Sequence, residues 1–526
     1  MPRTETDKRI SDKETAPVDL QDVGPGTVQT IQAYENEDNV ILRANGHDHS
    51  MPRQFNWVSA LGLGFSITNS WIGYLSCFGQ NLIYGGAQAC IFSLVVAFVV
   101  QLAVTTGLAE LGSAFPSSGG QYHFCYILSS DNTKRYSAYM VGWLSVLAWW
   151  IVTCSGISLA TLVLNGIVHF CVPEYTANQW QTYLTYVAVS VVTSLPVFLV
   201  PKRISWVMQI ALYLTLSGYL IFFIVPLIMH GNVQPQSFIL ESGQGNSGWN
   251  GSTAWLLAIS NSMYKFGGTD GVIHISEEMP RPGKRVPQVM IVTMIIGIVT
   301  SLSLFVMLMI FIDDMDAIRE APLPSLELVY QITRNRNVTL GLFILLLIIY
   351  MSCLPSQWVG SGRIAWAFAR DNGTPFSAFF AQVSTSFDFP VRTTVAAVIF
   401  SCLYGLLYLA STTAFNSIIT SAVLFLNITY TVPQAILLVR GRSLLPQRYL
   451  KLNFTGYMCN AFSVLWIVLL AVLICMPPNL PVTTGSMNYI CIILIAVFLL
   501  INLLWFAIGR KNFEGPYIDW NLLRPS

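Results

Sequence analysis

Charge is what this 526-residue sequence has least of: Asp, Glu, Lys and Arg together make up 10% of it. A soluble domain carries roughly 25%, so most of this chain is not built to face water. The 27 basic and 26 acidic residues nearly cancel. Lys and Arg are scattered rather than gathered in a patch, which gives no reason to expect a nucleic-acid partner. No early apolar run follows the N-terminus (MPRTETDKRISDKETAPVDL), so no secretory signal is expected. Residues 1–52, rich in Asp, Glu, Lys and Thr, read as a disordered cytosolic tail. The ten cysteines form no CxxC or CxxxC pair, which argues against a metal or redox centre. Cys77, Cys90, Cys125, Cys154, Cys353, Cys402 and Cys491 lie in or beside apolar runs and are expected to pack as small hydrophobes. Cys171 and Cys475 fall near the outer ends of spans, where a disulfide stays open. GxSxG and HExxH are missing, so an enzyme is not expected. PSSGG, residues 116–120, lacks the Lys-Ser/Thr of a phosphate loop.

What the sequence has instead is apolar length. Hydrophobic residues account for 54% of it and its mean hydropathy is +0.58. About 20 apolar residues cross a bilayer. Twelve stretches qualify, near 55–79, 87–113, 137–169, 180–200, 204–229, 253–278, 287–312, 338–368, 393–410, 416–439, 457–476 and 488–509. With the N-terminus inside, the inner loops carry Lys134, Arg135, Lys202, Arg203, Arg281, Lys284, Arg285, Arg370, Arg392, Arg440, Arg442, Arg448 and Lys451. The outer loops carry Arg319, Arg334 and Arg336 among several acids. That asymmetry places both termini in the cytosol. Two sequons, at Asn250 and Asn337, fall in outer loops and are glycosylation candidates.

Two spans break the pattern. The first contains GFSITNSWIGYL (64–75), and the sixth contains YKFGGTDG (264–271), with three glycines, a lysine and an aspartate at membrane depth. Such a segment survives only where protein or a watery cavity surrounds it. Interrupted segments at matching places in two halves point to a secondary transporter's midplane site. The expected organisation is a five-helix repeat over 53–230, an outer loop over 231–252 and an inverted five-helix repeat over 253–440. Two further helices follow over 441–510, then a cytosolic tail over 511–526. Unwound backbone would bind the solute: N-terminal half-helix ends suit a carboxylate, and free carbonyls suit an ammonium.

Six stretches in order resemble the amino acid–polyamine–organocation superfamily, and within it the fungal amino acid/choline permeases. They are GFSITNSWIG, LAELGSAFPSSGGQY (108–122), HISEEMPRPGKRVP (274–287), AFARDNGTP (367–375), GLLYLASTTAFNSIIT (405–420) and MPPNLPVTTGSMNY (476–489). The resemblance implies an all-α membrane protein of twelve helices with a LeuT-like 5+5 inverted repeat, the first and sixth helices being discontinuous. It implies uptake of a small nitrogenous solute driven by the proton gradient, with no cofactor. It also implies that Ser66, Ile67, Thr68 and Asn69 line the pocket with Tyr264, Phe266, Gly267 and Gly268.

Lys265 beside that pocket would repel choline and attract a carboxylate, favouring an amino acid or GABA, unless it snorkels away or pairs with Asp270. Aromatic faces would favour choline; Trp71 and Trp358 lead the candidates, ahead of Tyr74, Trp149 and Trp150. Asp270 and His274, four apart, are the candidates for proton coupling. Glu110, Glu277 and Glu278 are expected to form gate ion pairs with Arg281, Lys284 or Arg285, or else to carry protons. Asn427 either lines the cavity or bonds between helices. The reading is a proton-coupled importer of amino acids or related amines, with a choline permease as the alternative and a nutrient receptor as a more distant one. The plasma membrane is expected ahead of the vacuolar membrane.

Overall fold

The computed structural model describes residues 38–40, 42–46, 51–410, 412–483, 487–516 and 518–519; the side chains of 410–420 are left aside. The tail expected over 1–52 lies mostly outside these residues. Where the tail is described it is packed: the Asp38 carboxylate accepts the Arg281 backbone N–H at 2.8 Å, and Arg53 donates to Asn39 at 2.7 Å.

Ten helices among the described residues are long and apolar enough to cross a membrane. Their outward faces carry large exposed side chains, such as Leu199 (73%), Ile228 (74%) and Leu465 (73%), as hydrocarbon contact requires. The chain is a multi-pass, all-helical membrane protein.

The first and sixth predicted spans fold as broken helices. The first is α1 (Trp57–Thr68), then Asn69 in the left-handed region at φ 33°, then α2 (Ser70–Leu75). Next comes α3 (Phe78–Ala114), which turns sharply at Gly85 and Gly86. A short helix α4 (Gln121–Leu128) follows the PSSGG turn, before α5 (Lys134–Cys171), α6 (Gln179–Leu199) and α7 (Ile204–Met229).

The sixth span starts as α8 (Gly251–Met263), tightens to a 3₁₀ turn at Tyr264–Phe266, and opens at Gly267 and Gly268. It resumes as an unusually long 3₁₀ coil, Thr269–Glu278. Runs of that kind rarely exceed four residues and often mark a hinge. Gly268 sits at φ 83°, where a side chain is strained and where a Cβ would meet Ile67 Cγ2 at 2.7 Å.

The chain continues as α9 (Pro282–Ile310), α10 (Met315–Glu320), α11 (Pro324–Thr333), α12 (Arg336–Arg370), α13 (Val391–Gly405), α14 (Thr412–Arg440), α15 (Asn453–Cys475) and α16 (Ile490–Leu504). The connection holding Asp313, Asp314 and Asp316 marks one end of the molecule, called here the acidic end. The Lys- and Arg-bearing connections mark the basic end.

The two broken helices are alike in construction. Asn56 caps α1 by accepting the Ser59 N–H at 2.8 Å, and Asn250 caps α8 by accepting the Thr253 N–H at 2.8 Å. The arms before the break are 12 and 13 residues long. α1 packs on α9 and α7, while α8 packs on α3 and α15. All ten cysteines are free thiols, and the neighbour of Cys475 is Cys491 rather than Cys171.

α1 and α7 approach closely: a Cβ on Gly62 would stand 2.3 Å from the Met208 carbonyl oxygen. Gly62→Ala must push two backbones apart, at a cost of about 1–3 kcal/mol. Its thermal unfolding in detergent is expected to fall below wild type. Gly341→Ala, with nothing within 4 Å, is expected to leave the midpoint unchanged and serves as the control.

Candidate functional site

The breaks in the two helices flank a buried cavity of ≈ 50 Å³, room for roughly three to five water molecules. Ser66, Ile67, Thr68 and Asn69 line it from the first break, and Tyr264 and Gly267 from the second. α12 adds Tyr350, Cys353, Leu354 and Gln357; α5 adds Val152, Gly156 and Leu159; α14 adds Val423 and Leu426. Among the described residues, no Asp, Glu, Lys or Arg belongs to this lining.

Two polar atoms on the lining, Ser66 Oγ and Gln357 Oε1, are buried without a hydrogen-bond partner. Buried polar atoms are nearly always paired, so these two carry the unused hydrogen-bonding capacity of the lining. Gly156 makes the room for Gln357, because a Cβ there would stand 2.4 Å from Oε1. Other polar groups are already engaged. Asn69 Nδ2 donates to Cys353 Sγ at 3.3 Å, the Tyr264 hydroxyl bonds to Ser155, and the Tyr350 hydroxyl bonds to Ser76.

Five residues expected at the site lie outside the lining. Trp71 packs on Tyr219 and Phe222, and Trp358 donates its indole N–H to Thr193 at 3.1 Å. Phe266 packs on Phe98, and Gly268 donates its N–H to the Tyr430 hydroxyl at 3.2 Å. Lys265 is the instructive case. The turn at Tyr264–Phe266 points its side chain back along α8, where Nζ donates to Asn261 O at 3.0 Å and sits 4.5 Å over the Tyr74 ring. It neither reaches the cavity nor pairs with Asp270. A cation held by a carbonyl and an aromatic face tolerates such burial.

Asp270 is instead the hub of a second, fully buried cluster. Gln121 Nε2 donates to its Oδ2 at 2.6 Å and Trp149 Nε1 at 2.9 Å, while the Tyr430 hydroxyl donates to Oδ1. His274 Nε2 lies 3.2 Å from Oδ2, and Nδ1 lies 2.9 Å from Ser118 O. The PSSGG turn is thus grasped by the coil rather than free to hold phosphate. Asn427 is not part of the cavity lining; its Nδ2 donates to Val423 O one turn back.

At the basic end the three glutamates form ion pairs, and Arg370, Arg363, Arg442 and Arg448 supply cations to them. Glu277 takes both Arg370 terminal nitrogens, at 2.8 and 3.0 Å, and the Ser118 N–H at 2.9 Å. Glu278 takes Arg363 at 2.6 and 3.0 Å, with Gln54 at 2.9 Å. Glu110 is gripped by Arg442 and Arg448 and by the Leu452 N–H, which ties α3 to the connection before α15. Just past α12, burial pushes the Asp371 carboxyl up to about 6, although Arg370 and the Tyr122 hydroxyl pull it down. The glycosylation candidates Asn250 and Asn337 are both exposed.

Sequence reasoning chose Trp358 on α12 and missed the face of that helix that lines the cavity. The polar residues Tyr350, Cys353 and Gln357 recur at helical spacing on one face of an apolar run, a stripe that periodicity could have flagged.

Comparison with known proteins shows the family of the chain. The profile of a family described as amino acid permease matches residues 55–498. The choline transporter of Saccharomyces cerevisiae is 29% identical over 484 residues, covering 90% of this chain and 84% of that protein. The swainsonine transporter of Arthroderma benhamiae is 26% identical, covering 94% and 96%. The 7-keto 8-aminopelargonic acid transporter of S. cerevisiae is 25% identical, covering 86% and 92%. These relatives are transporters, not enzymes.

The Glu278–Arg363 pair is 0% and 1% exposed, so removing one partner strands a buried charge. Arg363→Met alone is expected to cost about 3–5 kcal/mol of stability. Glu278→Gln combined with Arg363→Met should restore most of it, read as the thermal midpoint of purified protein.

Proposed function

The chain belongs to the amino acid permease family, and from that premise we propose a proton-coupled importer of small organic amines, choline-like cations ahead of carboxylate-bearing amino acids. The observation that carries the order of preference is the uncharged lining of the cavity. Lys265 was the one residue expected to recruit a carboxylate, and its ammonium is turned toward Asn261 and Tyr74. What remains at the cavity suits a compact cation: the Tyr264 and Tyr350 side chains, the Gln357 and Ser66 oxygens, and the carbonyl end of α1. The choline transporter named above is similar over most of this chain, which supports the same reading.

The ten continuous helices and the two broken ones make twelve crossings in this proposal. α1 to α7 form one repeat and α8 to α14 its inverted copy, as their matching caps, arm lengths and exchanged packing support. The positive-inside rule puts the basic end in the cytosol with both termini, and the exposed sequons at Asn250 and Asn337 on the other side. The plasma membrane is the proposed location. Import then requires the basic end, sealed here by Glu277–Arg370 and Glu278–Arg363, to open after the solute has entered.

Uptake of labelled choline, GABA and an amino-acid panel by permease-deficient cells, with and without a protonophore, tests the proposal. Choline accumulation that collapses with the protonophore is expected; accumulation of none of these solutes despite surface expression would count decisively against it. Gln357→Ala should raise the choline KM roughly ten-fold, the worth of one hydrogen bond of about 1.5 kcal/mol. Lys265→Met should leave it unchanged, whereas a large rise would return Lys265 to the binding site.

A further inference from the structure

We propose that Asp270 and His274 hold between them the one proton that is co-transported, and that this proton fastens the cytosolic arm of the sixth helix in its closed position. The proposal rests on the importer reading above and names the group that carries the ion.

The argument is an accounting of hydrogens. Ser118 O can only accept, so His274 Nδ1, 2.9 Å away, must carry a hydrogen. A neutral imidazole has one N–H, which leaves Nε2 as a bare lone pair. That lone pair would face Asp270 Oδ2 at 3.2 Å. Oδ2 already accepts from Gln121 and Trp149, and Oδ1 from Tyr430, all of which can only donate in this arrangement. Tyr430 donates its single hydrogen to Asp270, and its oxygen separately accepts the Gly268 N–H. Neutral imidazole beside carboxylate therefore sets lone pair against lone pair in a site closed to water. One further proton resolves the clash, whether formally on the imidazole or on the carboxyl group. Loading adds that proton to the pair, and release returns it to water on the cytosolic side, with no other bond made or broken.

The neighbouring ionisable groups do not supply it. On the coil, Glu277 and Glu278 are neutralised by Arg370 and Arg363 of α12. α1 has no ionisable residue, α5 contributes Trp149, and α14 contributes Tyr430. Glu110 of α3 is held by Arg442 and Arg448. α9 contributes Lys284 and Arg285 at its first turn. On α4, His123 and Tyr122 complete the set among the described residues, with Tyr122 bonded to Asp371.

The position of the pair gives the proton a mechanical role. Asp270 follows the Gly268 hinge by two residues and takes its partners from α4, α5 and α14, while His274 is bonded to the PSSGG turn. Ser118 bonds His274 through its carbonyl and Glu277 through its N–H. Losing the proton sets His274 against Asp270 and frees the turn, which loosens the arm at the hinge and at the gate together.

The test uses full-length protein in proteoliposomes. Asp270→Asn and His274→Gln are expected to abolish proton-driven uphill accumulation of labelled choline, while solute exchange with choline on both sides continues. Exchange without accumulation is a result that a merely structural role would not produce. Wild-type accumulation and pH profile in both variants would overturn the proposal. A second measurement needs no substrate: hydrogen–deuterium exchange of residues 116–124, corrected for the intrinsic effect of pH. Protection should fall as pH rises in the wild type and lose that dependence in His274→Gln. Protection independent of pH in the wild type would overturn the fastening role even if transport of choline itself were never seen. Failure of wild-type choline uptake alone would instead tell against the importer reading.

Discussion

A helix that breaks at membrane depth must find partners for the backbone groups it frees, and the rest of this structure is arranged around that demand. Gly268 N–H goes to the Tyr430 hydroxyl, and the Tyr430 proton goes to Asp270. The first break is managed more locally: the Asn69 N–H returns to Phe65 O at 2.7 Å, and the Thr68 hydroxyl reaches back toward the same carbonyl. The two breaks are then tied to each other by Ser70 Oγ, which donates to the Lys265 carbonyl at 3.0 Å. A cavity forms where the two satisfied breaks fail to fill space.

The polar interior divides into zones with distinct work. Around the cavity the groups are neutral, and two of their oxygens are unspent. One turn toward the basic end, Asp270 gathers donors from three other elements. Beyond that lie full ion pairs, Glu277–Arg370 and Glu278–Arg363, in bidentate geometry. Charge thus grows with distance from the cavity along the coil. The cavity is bounded by dipoles and rings, and the full charges lie beyond Asp270 toward the basic end.

Much of the architecture was legible in sequence because hydrocarbon leaves so few options. Long apolar runs had to be helices, and each of the ten continuous ones overlaps a predicted span, several of them running past its ends. GFSITNSWIGYL and YKFGGTDG were legible as interruptions because glycines and polar residues weaken a helix locally. Pairing was not legible in the same way. Glu110 meets Arg442 across 332 positions of sequence, and nothing in either neighbourhood announces the other. The direction of Lys265 was hidden too, since it depends on how tightly one turn is wound. Tyr350, Cys353 and Gln357 left a readable stripe that drew no weight because the span around them is so apolar. Trp358 drew weight instead, one residue and about 100° of helix away from the face that lines the cavity.

The close approach of Gly62 to the Met208 carbonyl leaves no room for α1 to slide independently of α7. α7 is also among the helices most open to lipid, with Ile228, Ile210 and Tyr213 all more than half exposed. A lever arm pinned to a lipid-facing column cannot swing without displacing acyl chains. A transport step that moved α1 would then do work on the bilayer as well as on the protein.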